Sequence, residues 1–156
     1  MRLFLSTYTN RIDKKGRVSV PAPYRNIIMK KDQNEILAYP SISDQACIDC
    51  CDIEYFEKLA QGIEAFGPYT DDHRAFSTSI LADSYQLAFD SEGRIMLPEF
   101  LIEFAELDGT ATFVGLGTTF QIWNTERYEP YRRAARKTAH ERREVLQMRQ
   151  HSGETA

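Results

Sequence analysis

The sequence is poor in the features that announce membranes, disulfides, metals or catalysis. No apolar stretch runs beyond a few residues, far short of the ~20 that a membrane-spanning helix requires, so no membrane partner is expected. Leu3-Phe4-Leu5 is followed at once by polar residues and is too short for a signal-peptide core, which leads us to expect a cytoplasmic protein. The only cysteines are Cys47, Cys50 and Cys51. An odd, clustered set is a poor disulfide framework and suits a reducing compartment. Cys47-x-x-Cys50 has the form of half a zinc site or a redox pair, but the sequence holds no second Cys-x-x-Cys and no His-x-x-x-His to complete a ligand set. The simpler reading sets Cys47, Ile48 and Cys50 in a buried strand, and no metal or cofactor is expected. His73, His140 and His151 lie far apart, and His73 beside Asp71 and Asp72 reads as a surface cluster at a helix start. There is no nucleophile elbow, phosphate-binding loop or His-Glu-x-x-His, so the expectation is a protein that is not an enzyme.

Charge is present but segregated. The net value of −4 argues against nucleic acid until its distribution is considered. Residues 1–31 carry eight Lys/Arg against one acid, residues 32–126 three against eighteen, and residues 127–149 eight against three. A polyanion responds to the local field and not to the average, so an acidic body with basic extremities can still hold DNA.

An internal repeat organises the chain. Tyr8 to Ile27 (YTNRIDKKGRVSVPAPYRNI) aligns with Tyr85 to Phe104 (YQLAFDSEGRIMLPEFLIEF) at an offset of 77, with Tyr8/Tyr85, Asp13/Asp90, Gly16/Gly93, Arg17/Arg94 and Pro21/Pro98 identical. A fainter echo, offset by 73, sets Cys47–Cys50 against Phe120–Trp123 and Tyr55 against Tyr128. In Asp-x-x-Gly the aspartate accepts backbone N–H groups at the head of a turn, and the glycine supplies the left-handed conformation that closes it. Asp13, Gly16, Asp90 and Gly93 are therefore turn-forming. Around the first turn Ile12, Val18 and Val20 point one way, Arg17 and Ser19 the other. Pro21 and Pro98 end the strands and suit the start of a helix; Tyr24, Ile27 and Ile28 then have helical spacing, as do Leu101, Phe104 and Ala105. Each copy thus reads as a two-stranded hairpin, a short helix and further strands near 35–39 and 46–51, or 110–116 and 119–124. Asp52 is a helix N-cap preceding Tyr55, Phe56, Leu59 and Ile63 on one face. Gly62, Gly67 and Pro68 mark a break, and a second helix is expected over 71–82 with Phe76, Ile80 and Leu81 buried. From Thr125 the pattern is helical, with Tyr128, Tyr131 and Ala135 on one stripe; beyond Gln150 fraying is expected.

A two-stranded ribbon is narrow enough to enter the major groove of DNA. The first hairpin offers Arg11, Lys14, Lys15 and Arg17 with Asp13 as its single acid. Arg17 is the candidate for base contact, since a guanidinium pairs bidentately with guanine. Lys14 and Lys15 read as phosphate contacts, and Arg11 and Arg2 suit either role. Arg94 is a weaker candidate, because Glu92 and the acidic middle of the chain reduce the field there. For both Arg17 and Arg94 the alternative is an ion pair with the aspartate of the same motif. The tail residues Arg132, Arg133, Arg136, Lys137, Arg142 and Arg143 form either a solvated face or a further DNA contact.

The tandem motifs Asp13-Lys14-Lys15-Gly16-Arg17 and Asp90-Ser91-Glu92-Gly93-Arg94, each followed by an alternating run and Pro (Val18-Ser19-Val20-Pro21; Ile95-Met96-Leu97-Pro98), resemble those of the MraZ family over roughly residues 1–130. The resemblance implies an α+β, mainly β fold of two pseudo-twofold-related AbrB-like swapped-hairpin modules of double-psi type, with short flanking helices. It divides the chain into module one (7–54), linking helices (55–82), module two (83–126) and a basic C-terminal helix and tail (127–156). It further implies a transcriptional regulator that binds double-stranded DNA at tandem repeats upstream of the division and cell-wall gene cluster, its own promoter included. A homo-oligomeric ring (octamer or dodecamer) and a nucleoid-associated location go with that reading. The competing possibility is an antitoxin-type AbrB-like protein that neutralises a toxin. Such proteins usually carry one module, whereas two are fused here. Ser91 and Glu92 depart from the basic flanks of the first motif, and the tail is more basic than the family pattern suggests.

Overall fold

In the computed structural model, which describes residues 2–147, both copies of the repeat begin alike. β1 (Thr7–Arg11) and β2 (Arg17–Ser19) flank the first turn; β5 (Tyr85–Ala88) and β6 (Arg94–Met96) flank the second. After the prolines come α1 (Ala22–Met29) and α4 (Glu99–Phe104). The later strands are β3 (Glu35–Pro40), β4 (Ile48–Cys51), β7 (Thr110–Gly115) and β8 (Phe120–Trp123). Between the copies lie α2 (Ile53–Glu64), capped by the Asp52 carboxylate accepting the Tyr55 N–H, and α3 (Asp71–Phe76), which continues into a π-helical turn over Ser77–Leu81. Gly62 lies inside α2, with open space where a side chain would be, and does not break it; the turn with positive φ comes at Gly67.

Strand pairing departs from the sequence expectation. Each turn is not the tip of its own two-stranded ribbon. The arms part directly beyond the turn, joined by the isolated Ile12–Val18 bridge and the Asp13 N–H to Arg17 carbonyl bond. β1 then pairs with β7 and β5 with β3, while β2 pairs with β6. The result is a six-stranded antiparallel sheet in the order β1-β7-β8-β4-β3-β5 and a separate ribbon of β2 and β6. Exchanging the two copies maps this order onto itself. The approximate twofold passes through the Val18–Ile95 pair and between β4 and β8, where Ile48 faces Ile122 and Asp49 faces Gln121. The reason for the crossing is burial: Val18 and Ile95, Val20 and Leu97, Tyr24 and Leu101, and Ile28 and Ala105 are all equivalent pairs, and all lie in one core with 2% exposure or less. Either copy alone would leave that apolar face in water.

The architecture is mixed, since five α-helices accompany eight strands among the described residues, so the expected predominance of β is met only in part. The opposite face of β3 and β4 carries Leu37, Tyr39 and Cys51 into a second cluster with Ile63 of α2 and Ile80. All three cysteines are buried thiols, and burial pushes Cys47 and Cys51 up to about 12. The chain divides into two units, the first ending at Thr125 and the second beginning at Glu126. The second unit holds all of α5 (Thr125–Glu141) but its first residue, and the helix is exposed along Glu129–Glu141, with Glu129 ion-paired to Arg132 at 3.0 Å. The fraying expected beyond Gln150, and His151, lie outside the described residues. No helix is long and apolar enough to cross a membrane among the described residues.

Candidate nucleic-acid interface

Each motif builds its turn from its own aspartate. Asp13 Oδ1 accepts the N–H groups of Lys15 and Arg17, both at 2.9 Å, and Asp13 Oδ2 accepts Arg17 Nε at 2.6 Å. Asp90 repeats the pattern with Glu92 N, Arg94 N and Arg94 Nε, each at 2.9 Å. The arginine amide donating into it, helped by the guanidinium, holds each carboxyl below the ordinary carboxylate range. Gly16 and Gly93 close the turns at φ +88° and +77°. A Cβ on Gly16 would stand 2.8 Å from the Leu97 carbonyl oxygen, because that glycine lies against the other copy's strand. The Gly16 carbonyl accepts Leu97 N–H and the Gly93 carbonyl accepts Val20 N–H, so the two turns brace one another.

The β2–β6 ribbon presents one face to the core and one to solvent. Val18 and Ile95 point inward. Arg17 opposite Met96, and Ser19 opposite Arg94, share the outer face, which puts the two arginines on a diagonal of the same ribbon. Their side chains are 34% and 30% exposed, and Ser19 and Met96 are exposed. Thus the ion-pair alternative and accessibility hold together: Nε of each arginine is bound by its own aspartate while the side chain still reaches the surface.

The two arginines differ in what remains available. Among the described residues no bond is made by Arg17 Nη1 or Nη2, whereas Arg94 Nη2 is also bound by Glu92 at 3.0 Å. The Asp90 carboxylate it bonds, with Glu92 and Asp13 nearby, raises Arg94 above its ordinary value. Lys14 and Lys15 are exposed on the first loop without an ion pair among the described residues. Arg11 ends β1, next to the turn, and is exposed. Arg2 belongs elsewhere, at the other end of β1, beside Lys31, Asp52 and Lys58. The sequence sets Ser19 on the face away from the core but gives no sign that Met96 lies opposite Arg17; alternation marks Ser19 and Met96 as outward-facing, and only the pairing shows that they share a surface.

A family model described as "MraZ protein, putative antitoxin-like" matches residues 80–148. A protein of Rickettsia rickettsii (strain Sheila Smith), named Transcriptional regulator MraZ, is 48% identical over 146 residues, covering 94% of this chain and 97% of its own. Proteins of the same name from Rickettsia africae (strain ESF-5) and Rickettsia akari (strain Hartford) are 47% and 45% identical with the same coverage. None of these names is that of an enzyme. At such identity over nearly the whole of both partners, this chain belongs to the MraZ family.

Proposed function

We propose that this protein is a sequence-specific DNA-binding transcriptional regulator that acts on tandem repeats upstream of the division and cell-wall gene cluster, including its own promoter. The observation that carries this reading is the outer face of the β2–β6 ribbon, where Arg17 and Arg94 lie diagonally, with Lys14, Lys15 and Arg11 at one end. Arg17 reads guanine through its unengaged Nη edge. Lys14, Lys15 and Arg11 neutralise phosphates. Arg94, shared between two carboxylates, contributes less. The crossed pairing of β1 with β7 and β5 with β3 supports AbrB-like swapped-hairpin modules at 7–54 and 83–126, joined by 55–82 and followed by the basic segment 127–156. A homo-oligomeric ring would set several ribbons on successive repeats at high effective concentration, in the cytoplasm on the nucleoid.

The test is binding of wild-type and Arg17→Ala protein to DNA from upstream of its own gene and to random duplex, across a salt series. Wild type should prefer the upstream DNA with a steep salt slope, and Arg17→Ala should lose that preference by about 1–3 kcal/mol while keeping its fold. Equal wild-type binding to both duplexes would sink the reading. The words "antitoxin-like" in the family description favour one second reading, capture of a toxin, which would then lead.

A further inference from the structure

The two loops of the ribbon rest on different supports. Position 25 of α1 and position 102 of α4 are equivalent under the offset of 77, and each lies over the glycine of the other copy's loop. Over Gly16 this support is Ile102, whose Cδ1 is 3.4 Å from the place of a glycine Cβ. Over Gly93 it is the guanidinium of Arg25, with Nη1, Cζ and Nε at 2.5, 2.6 and 2.7 Å from that place. The plane of an arginine is therefore laid against a residue that has no side chain and whose φ of +77° favours glycine. Arg25 Nε donates to the Val20 carbonyl at 3.0 Å, and Val20 N–H donates in turn to Gly93, so the guanidinium is fixed at the end of the ribbon. Among the described residues neither Nη takes part in a hydrogen bond or ion pair.

Charge gives this arrangement a purpose. In the first loop Asp13 and Arg17 cancel, leaving Lys14 and Lys15 as excess cations. In the second, Asp90 and Arg94 cancel and Glu92 remains, so the loop alone would repel a phosphate. We propose that Arg25 is the phosphate-binding residue of the second loop, a cation supplied by the first copy's helix to the acidic motif of the other. The inference rests on the DNA-binding reading above. It makes the ribbon bipolar, with lysines serving the backbone at the Gly16 end and one anchored guanidinium serving it at the Gly93 end. The contact is to the backbone and independent of sequence.

Arg25→Ile supplies the test, because isoleucine already fills the equivalent place over Gly16 and preserves the packing; Arg25→Lys preserves the charge. Both are compared with wild type and Arg17→Ala on the upstream duplex and on random duplex, with salt dependence and thermal melting measured together. Arg25→Ile should melt like wild type, weaken binding to both duplexes alike, and lower the slope of log K against log salt by about one. Arg25→Lys should keep most of that slope. Wild-type binding and slope in Arg25→Ile would overturn the proposal, as would a shared loss in both variants that tracks a fall in melting temperature. If Arg17→Ala loses the preference for upstream DNA while Arg25→Ile changes nothing, this inference alone fails. If wild type shows no preference at all, the DNA-binding reading fails first.

Discussion

Asp13 and Asp90 organise the ribbon ends at the level of single residues. Each accepts two backbone N–H groups and one guanidinium, bonds that favour the ionised carboxylate. Because both carboxyls are lowered in the folded protein, their stabilisation is fully present above the unfolded value of about 3.9 and is lost as pH falls through the lower folded value. Wild-type melting temperature should therefore decline through and below about pH 4. The double variant Asp13→Asn/Asp90→Asn should start lower at neutral pH and decline less, as followed by circular dichroism; identical pH profiles would refute the assignment. Anchoring Nε of Arg17 and Arg94 to aspartate orders each long side chain, so that under the DNA-binding proposal less entropy is lost on contact.

Helix α1 is the element that ties the first motif to the sheet. Tyr24 is fully buried, meets Phe4, Tyr8, Phe113 and Phe120 ring to ring, and donates from Oη to the Ser6 carbonyl at 2.6 Å. Ser6 has φ +72°, a conformation disfavoured for serine and held here by that bond and by Gly115 N–H donating to the same carbonyl. Tyr24→Ala should cost about 3–5 kcal/mol, as large-to-small changes in aromatic cores do. Tyr24→Phe, which keeps the ring and loses one hydrogen bond, should cost about 1 kcal/mol. Urea denaturation of both variants measures this; equal losses would mean that the rings are not the source of the stability. The equivalent position in α4 is Leu101, also fully buried, so the second copy fills the same place with aliphatic volume.

At the scale of the molecule, the core belongs to the first unit: among the described residues, every buried one lies between Phe4 and Trp123. A chain ending at Thr125 should therefore fold and melt within a few degrees of the full protein. Comparing the salt slopes of the two forms on the same duplex then counts what the tail arginines contribute. An unchanged slope assigns Arg132, Arg133, Arg136, Lys137, Arg142 and Arg143 to a solvated face; a shallower slope in the shorter chain assigns them phosphate contacts. Failure of the truncated chain to fold would contradict a self-sufficient first unit. Charge segregation suits this arrangement, since the acidic middle of the chain discourages indiscriminate adhesion while the basic segments retain their local field.

Much of this was legible in one dimension because it depends on neighbours in sequence. Asp-x-x-Gly dictates its own turn, alternation separates Arg17 from Val18, Asp52 caps the helix it precedes, and a period of 77 announces two like pieces. The π-helical turn at Ser77–Leu81 and the continuity of α2 through Gly62 were not legible, since packing overrode weak local preferences there. Pairing was decided only by tertiary structure. A strand's ladder partner is chosen by which apolar face covers which, and here β2 takes its ladder partner 77 positions away, Val18 facing Ile95, while its own turn's other arm gives it only the isolated bridge to Ile12. That choice assembled a ribbon from one strand of each motif, set two arginines on a common face, and laid Arg25 against Gly93. No local pattern encodes such placements, because they are set by contacts that exist only after the chain has closed on itself.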